Sequence, residues 1–181
     1  MSKVAPRHPF ELLLEIDKRT RSRVLPAASE AAQPASGGRL ALRVGAWHLL
    51  FLMDDVAEII PVPRVTRVPG VKSWLLGIAN LRGAVMSVID LKELLGGKPT
   101  APAPGSRLVV VRDGEWNYGL LVDEIIGMRH FGPENRSPTL EAIEVALRPY
   151  LAEAFVSEKQ HWLAFSVSRL LNDPKFLNAA T

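Results

Sequence analysis

The side chains best suited to metal chemistry in this chain are its four histidines, which stand in unrelated surroundings. No two of these histidines, His8, His48, His130 and His161, stand at the spacing of a helix turn or a hairpin. Protein metal sites draw ligands from such spacings. The chain also contains no cysteine, which excludes thiolate ligands, disulfides and thiol catalysis. We therefore expect neither a metal nor another cofactor.

Two adjacent acidic pairs, Asp54-Asp55 and Asp123-Glu124, are the next candidates for catalysis. Both follow apolar runs that predict strands, a position where acidic side chains commonly cap the following turn. None of the serines stands in a Gly-x-Ser-x-Gly context, and the chain has no phosphate-binding glycine loop. The sequence thus favours a binding function over an enzymatic one.

The distribution of charge bears on nucleic acid as a ligand. The chain carries 22 basic and 19 acidic residues, of which residues 1–39 hold seven and four. Residues 40–181 therefore have fifteen of each and no net charge. Because phosphate binding depends on clustered cations, the body of the chain is a poor match for DNA or RNA. A nucleic-acid-binding module with an SH3-like barrel is the alternative function class.

From residue 39 onward the hydrophobic pattern has the period of two that is typical of strands. Leu40, Leu42 and Val44 alternate with other residues, Gly45-Ala46 predicts a turn, and the apolar run WHLLFL predicts the returning strand. A second hairpin is predicted by RLVVVR, the turn pair Asp113-Gly114 and WNYGLLV. The pattern predicts a mainly β fold.

The two predicted hairpins also resemble each other in sequence. When Trp47 is placed over Trp116, Gly45 falls on Gly114, and the first acidic pair falls on the second. Further along, SVIDLKELL resembles LAFSVSRLL. We interpret this as an internal repeat of about 65 residues, whose short strands predict two compact barrels. Chance similarity of two hairpins is the alternative.

Segments of different composition flank and divide the repeat. Residues 1–38 combine a predicted helix, PFELLLEIDKR, with a linker rich in Ala, Pro, Ser and Gly. We place the first barrel at about 39–98 and the second at about 105–172, with a frayed tail at 173–181. No apolar stretch reaches the roughly 18 residues of a membrane span. We therefore expect a cytoplasmic protein without membrane insertion.

Arg82 is a cation within the otherwise apolar segment GIANLRGAVMSVIDL, residues 77–91. Gly83 beside it suits a tight turn, because glycine tolerates a positive φ. Arg82 has no such structural reason, since most residues fit the other turn position, and the second repeat has Glu158-Lys159 there. Arg82 is therefore either a solvated turn residue or an anchor in a protein interface.

Three motifs together identify a family resemblance. Residues 63–96 contain an apolar-Pro-Gly, a Gly-x-x-Asn-x-Arg-Gly turn and an apolar-Asp-Leu strand end. Residues 56–60 are VAEII, and residues 118–128 contain Gly-x-x-Val-Asp-x-x-x-Gly. These motifs resemble those of the CheW family of chemotaxis coupling proteins. The resemblance implies two SH3-like five-stranded β-barrel subdomains with short helices around a shared core, to which the N-terminal helix is an extension.

The resemblance also implies a function. CheW-like proteins are non-enzymatic adaptors, or scaffolds, that couple the cytoplasmic tip of a methyl-accepting chemoreceptor to a CheA-type histidine kinase, whose regulatory domain is itself CheW-like. They act in the cytoplasm, associated with membrane-bound receptor arrays. The N-terminal helix and linker are similar to the PilI type of CheW-like protein, which serves the chemosensory system of type IV pili and twitching motility.

Two sets of residues are implied to contact these partners. The set facing receptor or kinase consists of Val56, Glu58, Ile59, Asn80, Leu81, Arg82 and Gly83. A possible kinase-side surface in the second repeat consists of Val122, Asp123 and Gly127.

Overall fold

The computed structural model describes residues 38–137 and 145–180. As predicted, the fold of these residues is mainly β, with ten strands and three short α-helices. The strands are β1 (Arg39–Val44), β2 (Trp47–Leu52), β3 (Glu58–Pro61), β4 (Leu75–Leu81), β5 (Ala84–Asp90), β6 (Arg107–Asp113), β7 (Trp116–Val122), β8 (Glu124–Arg129), β9 (Leu151–Ser157) and β10 (Gln160–Phe165). The helices are α1 (Leu91–Leu94), α2 (Val167–Leu171) and α3 (Pro174–Leu177).

The predicted N-terminal helix and most of its linker, residues 1–37, lie outside the described residues. Within the described part of the chain, no helix is long and apolar enough to cross a bilayer.

The strands form two five-stranded sheets. Sheet 1 has the order β8-β1-β2-β10-β9, and sheet 2 has the order β3-β6-β7-β5-β4. The two orders correspond strand by strand. β1 and β2 in sheet 1 stand where β6 and β7 stand in sheet 2, and β8, β9 and β10 stand where β3, β4 and β5 stand. The internal repeat is thereby confirmed at the level of topology.

The boundary predicted between two contiguous barrels at residues 98–105 differs from this topology. β1 and β2 join three strands of the second repeat in sheet 1, whereas β6 and β7 join three strands of the first repeat in sheet 2. The cause is parallel pairing of β2 with β10 and of β5 with β7, which sets Leu49 beside Leu163 and Ile89 beside Leu120. Each N-terminal hairpin thus completes the sheet of the other repeat.

The two sheets bury one shared core, and each also encloses a smaller one. The shared core includes Leu49 of sheet 1 and Val109 of sheet 2. The next residue on each strand points the opposite way, so that Leu50 packs within sheet 1 and Val110 within sheet 2. Both faces of the central strands are buried, which explains the uninterrupted apolar runs of β2 and β6.

The hairpin turns of β1–β2 and β6–β7 are alike. Gly45 and Gly114 both take the first central position with positive φ, 60° and 56°. The β6–β7 turn is Gly114-Glu115, one residue later than predicted, because Asp113 pairs with Trp116 as the last residue of its strand. A positive φ at the first position matches the twist of the flanking strands.

The aligned segments at the end of each repeat also have the same local structure. Asp90 caps α1 by accepting a hydrogen bond from Glu93 N at 3.2 Å, and Ser166 caps α2 by accepting one from Arg169 N at 3.3 Å. A short polar side chain at this position satisfies a backbone N–H that the helix itself leaves free.

The C-terminal residues differ from the frayed tail that the sequence predicted. Residues 173–180 form α3 and then pair with the connector between β3 and β4, where Ala180 lies opposite Val71. Burial explains the order, since Phe176 is only 5% exposed and belongs to the shared core.

Candidate protein-interaction site

Arg82 and Gly83 form the two-residue turn between β4 and β5, with Leu81 paired to Ala84 across it. Both turn residues have positive φ, 51° for Arg82 and 91° for Gly83. The Asn80 side chain accepts a hydrogen bond from Gly83 N at 2.9 Å. The expectation that most residues fit the Arg82 position is therefore wrong, because a side chain in the left-handed region is disfavoured by about 1–2 kcal/mol.

An ion pair joins Arg82 to Glu58, with Nη2 and Oε1 2.6 Å apart. Glu58 begins β3 and Arg82 follows β4, and these strands are the two edges of sheet 2. The Arg82 side chain is 79% exposed and that of Glu58 is 22% exposed. An ion pair this exposed contributes only about 0–1 kcal/mol to the free energy of folding. Its main effect is to orient the guanidinium.

The remaining residues of the first implied set divide into exposed and buried members. Ile59 is 38% exposed on β3. Leu81 is 9% exposed and packs inside sheet 2, and Val56 is half-buried against the shared core. Of this set, Glu58, Ile59, Asn80 and Arg82 are at least partly exposed, whereas Val56 and Leu81 pack against the cores.

The second implied set does not form one surface. Val122 is 1% exposed in the shared core. Asp123 accepts a hydrogen bond from Gly45 N at 2.5 Å and so fixes the β1–β2 turn. Gly127 has a φ of 127° and lies where β8 shifts register against β1. Each residue thus has a visible structural role.

Two exposed apolar residues beside Arg82 were missed by the sequence analysis. Val85 is 65% exposed and Trp116 is 71% exposed. They precede Met86 and Asn117, which pair between the neighbouring strands β5 and β7. Because Met86 points inward, strand alternation places Val85 and Trp116 together on the outer face. The repeat gave no signal for this exposure, since the matching Trp47 is half-buried against the core.

The turn that corresponds to Arg82-Gly83 in the second repeat is Glu158-Lys159, between Ser157 and Gln160. Its residues also have positive φ, 53° and 66°. The two turns therefore share a backbone conformation but present opposite charges at the first position. The edge of sheet 1 is held by a different group, in which Glu153 contacts Arg39 and Arg136.

Only the first of the two acidic pairs considered for catalysis lines a cleft, which has a volume of about 490 Å³. Asp54 and Asp55 lie there with Arg112 and Ser168. Burial raises the pKa of Asp55, and the neighbouring Asp54 carboxylate raises it further. The described residues contain no group of three side chains able to hold a metal ion. At the end of sheet 2, by contrast, the Arg82 guanidinium is held by an ion pair, and exposed apolar side chains lie at the same end of the sheet.

Comparison with known proteins gives the family of the chain. The family model of the CheW-like domain matches residues 40–175, so the chain belongs to the CheW-like family. Among its relatives is the protein PilI of Pseudomonas aeruginosa, 38% identical over 174 residues, which cover 95% of this chain and 96% of that protein. FrzA of Myxococcus xanthus is 27% identical over 138 residues, covering 76% of this chain and 83% of FrzA.

A solved structure has the same fold. The scaffolding protein TtCheW from Thermoanaerobacter tengcongensis superposes with a TM-score of 0.64 at 19% identity, covering 76% of this chain and 94% of TtCheW.

Proposed function

We propose that this chain is a non-enzymatic coupling protein. It binds the cytoplasmic tip of a methyl-accepting chemoreceptor and a CheA-type histidine kinase, in the cytoplasm beneath membrane-bound receptor arrays. Family membership supports this function, and similarity to PilI over nearly the whole of both chains supports a place in a type IV pilus system that controls twitching motility.

The observation that carries the proposal is the composition of the surface at one end of sheet 2. Arg82 is exposed and oriented by Glu58, with Val85 and Trp116 beside it. Arginine and tryptophan are the residue types that most often dominate binding energy in protein interfaces. Arg82 and Trp116, together with Glu58 and Val85, lie at one end of sheet 2 and form a partner-binding surface that needs little ordering before binding.

Such a protein transmits a signal through differences in affinity. If the receptor binds one arrangement of the adaptor and kinase more tightly than another, a shift in the receptor changes the population of active kinase. A rigid adaptor suits this role, and the one core that its two sheets share supports rigidity, because buried side chains are closely packed.

The experiment measures binding of the purified chain to the CheW-like regulatory domain of the kinase and to a soluble receptor fragment from the same genome. Arg82→Glu and Trp116→Ala are each expected to weaken binding to at least one partner tenfold or more, with an unchanged melting temperature. Lys159→Glu is the matched control, since it makes the same charge change in the corresponding turn. The proposal fails if all three variants bind like the wild type.

A gel shift with RNA and DNA at low salt tests the alternative function class. Binding that weakens steeply as salt increases would favour a nucleic-acid module instead.

A further inference from the structure

Two cations are direct neighbours at one end of sheet 1. Arg39, the first residue of β1, lies opposite Arg129 of β8 on one side and opposite Leu52 of β2 on the other. Residues that lie opposite each other in a ladder project from the same face of the sheet. Like charges in this relation repel each other. A negatively charged group placed between the two guanidinium groups would remove this repulsion.

Both guanidinium groups lie over the smaller core of sheet 1. The Cζ atom of Arg39 is 5.4 Å from the centre of the Phe155 ring, and that of Arg129 is 5.6 Å from the centre of the Trp162 ring. Both rings belong to that core. An aromatic face orients the planar guanidinium but supplies no full negative charge. The two cations are therefore positioned by the fold without being neutralised by these rings.

The carboxylates at this end of the sheet do not balance its arginines. Glu153 is shared between Arg39, at 3.1 Å, and Arg136, at 2.5 Å. The Glu134 carboxylate folds back onto its own loop. Within residues 38–137 and 145–180, no carboxylate lies within ion-pair distance of Arg129. One carboxylate thus serves two of the three arginines, and the third has none.

This row of residues is open to solvent and combines charge with an apolar side chain. Arg129 is exposed, the Arg39 side chain is 15% exposed, and Leu52 is 43% exposed. Neighbouring strands are about 4.8 Å apart, so a carboxylate midway between Arg39 and Arg129 would lie about 7 Å from Leu52. This is about the distance between residues i and i+2 of an extended chain.

We infer that this end of sheet 1 binds an acidic, extended segment of a partner protein with the pattern Asp or Glu, any residue, aliphatic residue. The partner carboxylate bridges Arg129 and the exposed edge of Arg39, and the aliphatic side chain packs on Leu52. Arginine suits this role because its planar fork matches the geometry of a carboxylate. The surface belongs to sheet 1, whereas Arg82 follows a strand of sheet 2, so the inference does not rest on the proposed function.

The probe is a fluorescein-labelled peptide with two copies of Glu-Thr-Val-Thr between Gly-Ser ends. Fluorescence anisotropy measures its binding to the full chain at low and at physiological salt. We expect saturable binding that weakens as salt increases. A peptide with Gln in place of both Glu should bind about tenfold more weakly, and one with Gly in place of both Val should also bind more weakly. Equal binding of the Glu and Gln peptides, or no binding of the Glu peptide, would overturn the inference.

Two matched variants locate the peptide on the protein. Arg129→Gln should weaken binding of the Glu peptide about tenfold. Arg67→Gln makes the same change at an exposed arginine in the connector between β3 and β4 and should bind like the wild type. Equal weakening by the two variants would indicate general attraction of charge and would overturn the inference. Melting temperatures show that both variants are folded; if Arg129→Gln is not, Arg129→Lys replaces it, because it keeps the charge and removes the planar fork.

Leu52→Ser tests the apolar part of the surface. This variant should no longer distinguish the Val peptide from the Gly peptide, while both still bind more tightly than the Gln peptide. An unchanged preference for Val would show that the aliphatic side chain does not lie on Leu52 and would overturn that part of the pattern.

Two further measurements test other occupants. Displacement of the peptide by a single-stranded oligonucleotide at lower concentrations than by unlabelled peptide would make the surface a phosphate site. A stable dimer in sedimentation that Arg129→Gln dissociates would make a second copy of the chain the occupant. Either result would overturn the assignment to an acidic partner segment. We expect a monomer and no displacement by the oligonucleotide.

Discussion

The Glu58 carboxylate and the Arg82 guanidinium meet at 2.6 Å across the two edge strands of sheet 2. The residues are 24 positions apart, and the backbone of Arg82 is left-handed. The turn conformation and the ion pair therefore place Arg82 in one orientation at the end of the sheet. The Arg82 side chain thus adds little to the free energy of folding, yet both the turn and the ion pair hold it in place.

Asparagine tolerates the left-handed region better than glutamate or arginine. We expect Glu158→Asn to raise the free energy of unfolding by about 0.5–1 kcal/mol, because it relieves the turn. Arg82→Asn should raise the free energy of unfolding by less, because it also removes the ion pair with Glu58. The difference between the two variants estimates what this ion pair contributes to stability. Denaturant unfolding of both variants checks this. A loss above about 1 kcal/mol for Arg82→Asn would make the arginine a residue of the fold.

Gly77 is the position at which a methyl group should be tolerated least. A Cβ there would lie 2.1 Å from the carbonyl oxygen of Thr66, which accepts a hydrogen bond from Ile78. We expect Gly77→Ala to lower the free energy of unfolding by about 3 kcal/mol or more. Gly83→Ala is the control, since Gly83 also has positive φ but open space around it. Gly83→Ala should lower the free energy of unfolding by only about 1 kcal/mol. Denaturant unfolding of both variants measures the difference.

Asp90 is buried and binds more than the helix it caps. Its carboxylate accepts hydrogen bonds from Thr100 N at 2.6 Å and from Thr100 Oγ1 at 2.8 Å, so it also holds the segment between α1 and β6 in place. Asp90→Ala should lower the free energy of unfolding by about 3 kcal/mol, because the donors on Glu93 and Thr100 lose their acceptor. Ser166→Ala, at the corresponding cap, should cost about 1 kcal/mol. Equal losses in thermal unfolding would show that the bonds to Thr100 add nothing.

His48 should make the fold sensitive to mild acid. Its ring contacts Trp162 at 5.1 Å, and burial lowers the pKa of His48, with Arg43 lowering it further against an opposing effect of Glu124. A folded-state pKa below the ordinary value of 6.5 means that stability is fully present above pH 6.5 and decreases as the pH falls through the folded pKa.

The test for His48 compares melting temperatures above and below pH 6.5. His48→Phe should reduce the loss of stability in acid. An identical pH profile for wild type and His48→Phe would contradict the prediction.

The strands and the repeat could be predicted from the sequence because both leave local signals. Alternation marks β1, and Trp47 and Trp116 mark the same strand position in each repeat. The exchange of hairpins could not be predicted in this way. It depends on Leu49 pairing with Leu163, a contact between residues more than a hundred positions apart that has no signature in either segment.

The candidate site was found only in part for a similar reason. Arg82 stands out in an apolar segment, and Gly83 marks a turn. Whether Val85 and Trp116 are exposed depends on where the other sheet ends, which no local pattern encodes. The order of the C-terminal segment likewise depends on Trp74 and Tyr118, which receive Phe176 from a distant part of the chain.

The exchanged hairpins give the chain the geometry of a domain-swapped homodimer whose two subunits have been fused into one polypeptide. In a true homodimer, every contact surface would occur twice, and a substitution at one end would appear at the other. Fusion removes that constraint, so Arg82 and Glu158 can occupy the same backbone position with opposite charges. A single chain of this kind can present two chemically distinct ends from one architecture.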